Sequence, residues 1–202
     1  MLNRSYVNTK PYITAGCDEV GRGCLAGPVI AAEVILPRDY DDISLKDSKQ
    51  LTQKQREVLD VVIRAEAIDW AIGLATPDEI DAINILNASH LAMHRALDRL
   101  TVRPEFLLID GKFFKAYRDI PHKCIVRGDQ LVSSIAAASI IAKVYRDNYM
   151  QELSIQEPEY DWDHNMGYPT RKHRMAIQNI GITPHHRKSF HHVAECLQPV
   201  LM

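Results

Sequence analysis

The sequence has few of the features that mark membrane, secreted or zinc-binding proteins. Its 202 residues hold only four cysteines and no C-x-x-C pair, which argues against a disulfide framework or a zinc finger. The most apolar helical stretch, LVSSIAAASIIAKV, is shorter than the roughly 20 residues that a membrane span needs. No apolar signal segment follows MLNRSYVNTKPY. We therefore expect a cytoplasmic protein without membrane association, whose cysteines are buried free thiols: Cys17, Cys24, Cys124 and Cys196.

A strong net charge is also missing, because 24 basic and 26 acidic residues leave a formal charge of only −2. Acidic residues are absent from 165 to 194, whereas residues 1–164 carry an excess of acid. This division favours metal-binding acids in the body of the protein and phosphate contacts in its tail, although a solvated basic surface would look the same. The cations of the tail are Arg171, Lys172, Arg174, Arg187 and Lys188.

Short runs of β-branched and small apolar residues predict five strands. YITAGCDE and PVIAAEVILP read as neighbouring strands joined by the glycine-bearing connection VGRGCLAG. IDWAIGLA, PEFLLID and HKCIVRGD follow further along the chain.

Helix-start signals lie between these strands. Thr52 to Gln55 forms a capping box, and the helix that it opens should turn Leu59, Val62 and Ile63 inward. Thr76 to Glu79 opens a long helix toward Leu100. An alanine-rich helix is predicted from Gly128 to about Glu152, and a shorter one ends at Gly181. Strands that alternate with helices after an initial hairpin predict an α/β layered fold with a mixed sheet.

Three of the predicted strands end in acids, namely Asp18 with Glu19, then Asp110, then Asp129. If these strands are neighbours, four carboxylates converge at one edge of the sheet. Clustered hard oxygens suit Mg²⁺ or Mn²⁺, and two such ions about 3.5 to 4 Å apart can hydrolyse a phosphodiester. The alternative is that each acid caps a turn or helix independently, which is plausible for Asp129.

Asp18 and Glu19 pose a geometric problem, because successive strand residues point to opposite faces of a sheet. We expect the chain to bend at this pair, helped by the glycines that follow.

GRGCLA also fits the dinucleotide-binding pattern G-x-G-x-x-A. The context excludes that interpretation, because Gly27-Pro28 would interrupt the required helix and the preceding acids would repel a pyrophosphate.

Over nearly its whole length the chain resembles ribonuclease HII, the bacterial type 2 ribonuclease H. The stretches that carry the resemblance are DEVGRG, KDSKQLT, NILNASHLAM, LLIDG, GD before SIAAASIIAKVYRD, GYPT and HRKSF. The resemblance implies a ribonuclease H-like mixed sheet flanked by helices. It divides the chain into a catalytic domain at 1–157 and a helical C-terminal extension at 158–202, packed as one structural unit.

The resemblance also implies an activity, which is Mg²⁺- or Mn²⁺-dependent cleavage of RNA within RNA/DNA hybrids and at single ribonucleotides in duplex DNA. The products would carry 5′-phosphate and 3′-hydroxyl ends, and the enzyme would be a monomer. The family's metal-binding carboxylates fall on Asp18, Glu19, Asp110 and Asp129. Two alternatives remain, a hybrid-binding protein without catalysis and a DNA-cutting nuclease of the same fold.

Substrate-binding roles follow from the same resemblance. Gly21, Arg22 and Gly23 would recognise the ribose 2′-hydroxyl, and Tyr168 would pack on the next sugar. Lys49 would contact a phosphate. Arg187 would border the substrate groove, unless it anchors the loop that carries it.

Asp147 lies four residues after Lys143 and is interpreted as an ion-pair residue. Cys24 and Met166 depart from the family pattern, since proline and lysine are usual at these positions. Neither departure touches the proposed metal ligands.

Overall fold

The computed structural model describes residues 13–38, 40, 45 and 51–197. Lys49, the predicted phosphate contact, lies outside them. Within these residues five strands form one sheet in the order β3-β2-β1-β4-β5. The strands are β1 Thr14–Val20, β2 Val29–Ile35, β3 Asp69–Ala75, β4 Phe106–Asp110 and β5 His122–Ile125.

The sheet is mixed, as the sequence predicts. Strand β2 pairs antiparallel with both β1 and β3, whereas β1 pairs parallel with β4, and β4 with β5. The carboxyl ends of β1, β4 and β5 therefore meet at the same edge of the sheet, the edge to which the sequence assigns the acids.

The helices lie on both faces of the sheet or beyond its end. They are α1 Gln53–Glu66, α2 Pro77–Leu97, α3 Gly128–Leu131, α4 Ser133–Gln156, α5 Trp162–Asn165, α6 Arg171–Ile180 and α7 His191–Leu197. Both predicted capping boxes are confirmed, at Thr52 with Gln55 and at Thr76 with Glu79. Thr170 caps α6, which ends at Gly181 as predicted.

Alternating strand residues build two apolar layers. Ala15, Cys17 and Val29 pack under α2, and Ile30 and Ala32 pack under α4 and α1. The small residues of α4 bring its backbone very close to β1. A Cβ placed on Gly16 would lie 2.3 Å from the Ser134 backbone, so only glycine fits there.

Two helices are interrupted where the sequence predicts continuity. Val132 adopts an extended conformation and separates α3 from α4, so the helix predicted from Gly128 is two helices. Within α2, Asn84 has φ 66° and breaks the helical path. Its side chain accepts a hydrogen bond from the backbone of Asn87, 3.1 Å away, and thereby caps the second half of the helix.

The C-terminal region packs on the first connection of the sheet. Leu25 and Met150 share a buried cluster with Tyr160, Trp162 and Ile177. None of the helices described here is long and apolar enough to cross a bilayer. The four cysteines are free thiols, with Cys17 and Cys24 buried. Cys196 is exposed, contrary to prediction, because it lies near the outer end of α7.

Candidate active site

Asp18 and Asp110 lie side by side at the edge of the sheet. The parallel register places Cys17 beside Ile109, so the next residue of each strand is one of these acids. Both strands turn these positions toward α4, and the Ser139 hydroxyl on that helix hydrogen-bonds to Asp18. Two carboxylates from distant parts of the chain are therefore neighbours, as predicted.

Glu19 reaches the same edge without the predicted bend. Strand β1 keeps its pairing with β2 through Val20, and the chain turns only at Gly21, where φ is 91°. The Glu19 Oε1 atom lies 3.0 Å from Nη1 of Arg22. Its other oxygen, Oε2, is buried and has no hydrogen-bond partner among the described residues. The prediction of a bend between Asp18 and Glu19 is wrong, because the regular strand continues to its end.

Asp129 joins the group through the short helix α3. The Gly128 backbone N–H donates to Asp110 Oδ1 over 2.6 Å, which ties the start of α3 to the end of β4. Asp129 is the next residue and is buried. A left-handed residue, Arg127 with φ 58°, makes the sharp turn from β5 into this helix. The structure thus brings all four predicted acids to one edge.

Burial and nearby negative charge disfavour the ionised forms of Asp18 and Glu19. Burial raises the pKa of Asp18 well above its usual range, and the charges of Glu19 and Asp110 raise it further. Burial also raises the pKa of Glu19, although Arg22 partly offsets this effect.

Such a site favours a cation. An unbonded buried oxygen on Glu19 beside other hard carboxylate oxygens fits Mg²⁺ or Mn²⁺, because these ions prefer oxygen ligands. The residues present therefore fit the predicted metal class.

A second acidic group lies on the C-terminal region. Among the described residues, Asp161, Asp163 and His164 are the set of three whose ligand atoms all lie within 4.8 Å of one another. Asp161 is already engaged by Lys172, whose Nζ lies 2.5 Å from Oδ1. Its charge is thus compensated within the chain.

The loop that carries Gly21, Arg22 and Gly23 rests on a buried arginine, Arg187. Its Nε donates to the Gly27 carbonyl over 2.9 Å and its Nη1 to the Arg22 carbonyl over 3.0 Å. The side chain is fully buried, so it cannot reach a duplex, and its assignment to substrate binding is wrong. The alternative assignment, a loop anchor, is the one that the geometry supports.

A second buried arginine, Arg146 of α4, escaped the sequence analysis. It donates to the carbonyls of Met166, Ala26 and Pro28 over 2.8, 3.1 and 3.2 Å. A Cβ on Gly21 would lie 2.2 Å from Arg146 Nε, so the loop needs glycine at that position. The sequence gives little signal for this role, because Arg146 is one of several charged residues of α4 and such residues are usually exposed.

Tyr168 lies next to this loop and is 40% exposed. The Leu25 N–H donates to the Gly167 carbonyl over 2.8 Å, which ties the turn of Tyr168 to the glycine loop. The Tyr168 hydroxyl interacts with the Cys24 thiol, so the cysteine that replaces the family's usual proline contacts the predicted sugar-binding tyrosine. Met166, the other departure, has φ 50° and offers its carbonyl to Arg146.

The structure also shows the positions of Asp147, predicted as an ion-pair residue, and Arg22, predicted to contact the substrate. Asp147 forms the predicted ion pair, with Lys143 Nζ 2.5 Å from its Oδ1. Arg22 is half exposed and faces the site through its contact with Glu19.

Comparison with known proteins agrees with this geometry. The family model described as Ribonuclease HII matches residues 15–193. Ribonuclease HII of Bacteroides fragilis is 61% identical over 178 residues, which cover 88% of this chain and 89% of the relative. The crystal structure of ribonuclease H2 from Pyrococcus horikoshii OT3 has a TM-score of 0.77 at 26% identity, covering 91% of this chain and 96% of that one. Bst-RNase HIII in complex with Mn²⁺ shares the fold, with a TM-score of 0.73 at 20% identity over 91% of this chain and 68% of that one.

Proposed function

The chain belongs to the ribonuclease HII family, and from this membership we propose that it cleaves RNA/DNA hybrids at the edge formed by Asp18, Glu19, Asp110 and Asp129. It is an endonuclease of the ribonuclease H type. The proposal concerns which residues carry the activity, which substrates they select and which ions they use.

The observation that carries this assignment is the pairing of Asp18 with Asp110 at the ends of parallel strands. Both are acids of the predicted ligand set, and Glu19 adds a buried oxygen without a hydrogen bond. Bound there, Mg²⁺ or Mn²⁺ would supply Lewis-acid activation of water and neutralise charge on the scissile phosphate. The Mn²⁺ complex of Bst-RNase HIII, which has the same fold, supports this metal class.

The chain's own groups orient these acids. The Ser139 hydroxyl fixes Asp18, and the Gly128 N–H fixes one oxygen of Asp110. Arg22 neutralises part of the charge on Glu19 and lies at the mouth of the site, where a phosphate would approach.

Selection of RNA is assigned to the glycine loop. Gly23 is exposed, and its backbone polar groups can hydrogen-bond to the 2′-hydroxyl that alone distinguishes RNA from DNA at a given site. Gly21 is buried and its carbonyl accepts from the Cys24 N–H, so its part in recognition is to shape the turn. Tyr168 would pack on the neighbouring sugar and Lys49 would contact a phosphate. Recognition of one ribose is sufficient for cutting at a single ribonucleotide in duplex DNA, leaving 5′-phosphate and 3′-hydroxyl ends.

We also infer that the enzyme acts as a cytoplasmic monomer. Residues 158–202 would form one structural unit with residues 1–157, which is supported by the cluster that joins Leu25 to Trp162. The buried arginines act across the same boundary, since Arg187 holds the glycine loop from the C-terminal side.

The test uses three labelled duplexes, an RNA/DNA hybrid, a DNA duplex with one ribonucleotide, and an all-DNA duplex. With Mg²⁺ or Mn²⁺ we expect cleavage of the first two alone. Binding of the hybrid without cleavage would support the non-catalytic alternative, and cleavage of the all-DNA duplex would support a DNA-cutting nuclease. End-labelling of the products checks the 5′-phosphate, and chelation of the metal should stop the reaction.

A further inference from the structure

Phe113 is the one exposed phenylalanine of the chain. It is 73% exposed, whereas the other three, Phe106, Phe114 and Phe190, are partly buried. It lies in the connection from β4 to β5, three residues after Asp110. Single exposed apolar residues are ordinary on protein surfaces, so its position and surroundings must show whether it has a role.

The connection holds Phe113 in place rather than leaving it on a loose loop. The next residue, Phe114, packs edge-on against the rings of His94 and His122, with centroids 5.4 and 5.1 Å away. His90 Nε2 donates to the Phe113 carbonyl over 3.2 Å, and His94 Nε2 donates to the Lys115 carbonyl over 2.8 Å. The backbone on both sides of Phe114 is thus fixed to α2, and the adjacent ring faces solvent.

The surroundings of Phe113 are basic. Lys112 and Lys115 flank it, both exposed, and residues 111–118 contain no acid. Burial lowers the pKa of His90, and the positive charges of Arg22 and Lys115 lower it further. The connection and the glycine loop therefore both lie within electrostatic range of His90.

A duplex bound at the carboxylates must come close to this surface. Three residues span at most about 11 Å of extended chain, and successive base pairs rise about 3.4 Å along the axis. A phosphate at Asp110 therefore has nucleotides within about three steps of Phe113. An exposed aromatic ring between cations is the arrangement by which proteins hold nucleic acid without reading its sequence.

We propose that Phe113, Lys112 and Lys115 form a second duplex-binding surface beside the active site. The Phe113 ring packs on a sugar or base, and the lysines contact phosphates. This inference rests on the proposed function, because it assumes that the duplex lies at the four acids. The positive charge of this surface favours nucleic acid over a protein partner.

The first test compares Phe113→Ala with Ile155→Ala, a matched loss of an exposed apolar side chain. Ile155 is 82% exposed at the far end of α4, away from the carboxylates. Affinity is measured by fluorescence anisotropy with a labelled RNA/DNA hybrid in EDTA, so that no cleavage occurs. We expect Phe113→Ala to weaken binding about tenfold, Phe113→Tyr to retain it, and Ile155→Ala to leave it unchanged.

The second test compares Lys115→Gln with Arg103→Gln. Arg103 precedes β4 and so lies at the opposite edge of the sheet from Asp110. Neutralising Lys115 should lower the slope of log affinity against log salt by about one, whereas neutralising Arg103 should not. With Mg²⁺ present, the Phe113→Ala enzyme should show a higher KM at unchanged kcat, which a disturbed carboxylate site would not produce.

Equal hybrid affinities for Phe113→Ala and Ile155→Ala, with a wild-type enzyme that cleaves the hybrid, would overturn this inference and leave the proposed function intact. A wild-type enzyme that neither binds nor cleaves the hybrid would overturn both.

Discussion

Two of the regions in which this protein buries ionisable side chains treat the buried charge in opposite ways. At the sheet edge, burial and the charges of Glu19 and Asp110 raise the pKa of Asp18, burial and Asp110 raise the pKa of Glu19, and an oxygen of Glu19 is left without a hydrogen bond among the described residues. Beneath the glycine loop, Arg146 donates to three backbone carbonyls and Arg187 to two, and only Nη2 of Arg187 lacks a partner there among the described residues. The arginine charges are spread over the dipoles of the loop that they hold in place.

Two histidines extend the second region. The Thr183 N–H donates to His186 Nδ1, which leaves the His186 Nε2–H to donate to His173 Nε2 over 3.2 Å. His173 then donates through Nδ1 to the Tyr168 carbonyl over 3.0 Å. Trp162 Nε1 also donates to His173 Nε2. This chain of bonds requires both rings to be neutral and fixes the turn of Tyr168.

This contrast distinguishes the region that binds a ligand from the region that holds the glycine loop in place. A buried charge whose hydrogen bonds are made within the chain stabilises one conformation, whereas buried charges that repel one another remain ready for a ligand of opposite sign. The acids at the sheet edge therefore serve to bind a ligand, and the buried arginines and histidines serve to hold the loop. Substitutions should therefore affect activity in one region and stability in the other.

The largest expected effect is on cleavage by Asp18→Asn. Loss of a ligand charge at the scissile phosphate should reduce the rate on the order of a thousandfold, from about 4 kcal/mol of lost transition-state stabilisation. The melting temperature should not fall, since the substitution removes repulsion with Glu19 and Asp110. Asp119→Asn, in an exposed ion pair with Arg103, is the matched control. Full activity of Asp18→Asn would contradict the metal assignment.

Arg146→Met should mainly lower the stability of the folded protein. It leaves three buried carbonyls without their donor, at about 1 to 3 kcal/mol each, so the free energy of unfolding should fall by roughly 3 kcal/mol or more. Urea denaturation measures this loss, with Arg103→Met as the control for an exposed arginine. An unchanged unfolding free energy would place Arg146 outside the support of the loop.

The histidines should make the folded state sensitive to acid. Burial, reinforced by the His173 charge, lowers the pKa of His186 from 6.5 to about 3. The unfolded state then takes up the proton first, so the stabilisation is complete above pH 6.5 and declines as the pH falls toward 3. At pH 5 the loss is about 2 kcal/mol relative to pH 8.

This prediction is checked by urea denaturation at pH 8 and pH 5 for wild type, His186→Gln and His164→Gln. His164 is an exposed histidine and serves as the control. Asp18 and Glu19 have raised pKa values and act in the opposite direction, so the contribution of His186 is the difference between wild type and His186→Gln. The same pH dependence in these two proteins would refute it.

The smallest effect is expected on the surface of the C-terminal region. Neutralising Arg171 and Lys172 should weaken duplex binding equally for all sequences and reduce its salt dependence by about one unit of slope per lost phosphate contact. Lys172 is held by Asp161, so Arg171 should account for the larger share. Affinity titrations at several salt concentrations measure this change, and an unchanged slope would remove these residues from the interface.

Much of the fold follows from local patterns. The strand runs, both capping boxes and the glycine that ends α6 were all predicted, because each depends on residues that are neighbours in the chain. The breaks at Asn84 and Val132 were not, because Asn84 and Asn87 form an internal cap that the helical pattern around them hides, and Val132 is extended within a run that reads as one helix.

Some residues of the active site could likewise be predicted from the sequence, and others could not. Acids at strand ends indicated Asp18, Glu19, Asp110 and Asp129, and their gathering at one edge followed once the sheet was predicted to be mixed. The roles of Arg146 and Arg187 were missed or misassigned, because a charged residue in a sequence is usually exposed. Only the approach of three distant segments shows that these two are buried.

The sequence by itself determined which residues are strands, where most of the helices start and that acids lie at the ends of β1 and β4, since these depend on side-chain alternation and local capping. Asp129, predicted at a strand end, lies instead in α3, beyond the end of β5. The tertiary structure decided which carboxylates are close enough to influence one another's ionisation, which arginines support the glycine loop, and that the Phe113 side chain faces solvent. Those properties depend on the dielectric surroundings and on contacts between residues more than a hundred positions apart, as between Arg146 and Pro28, and no local pattern contains them.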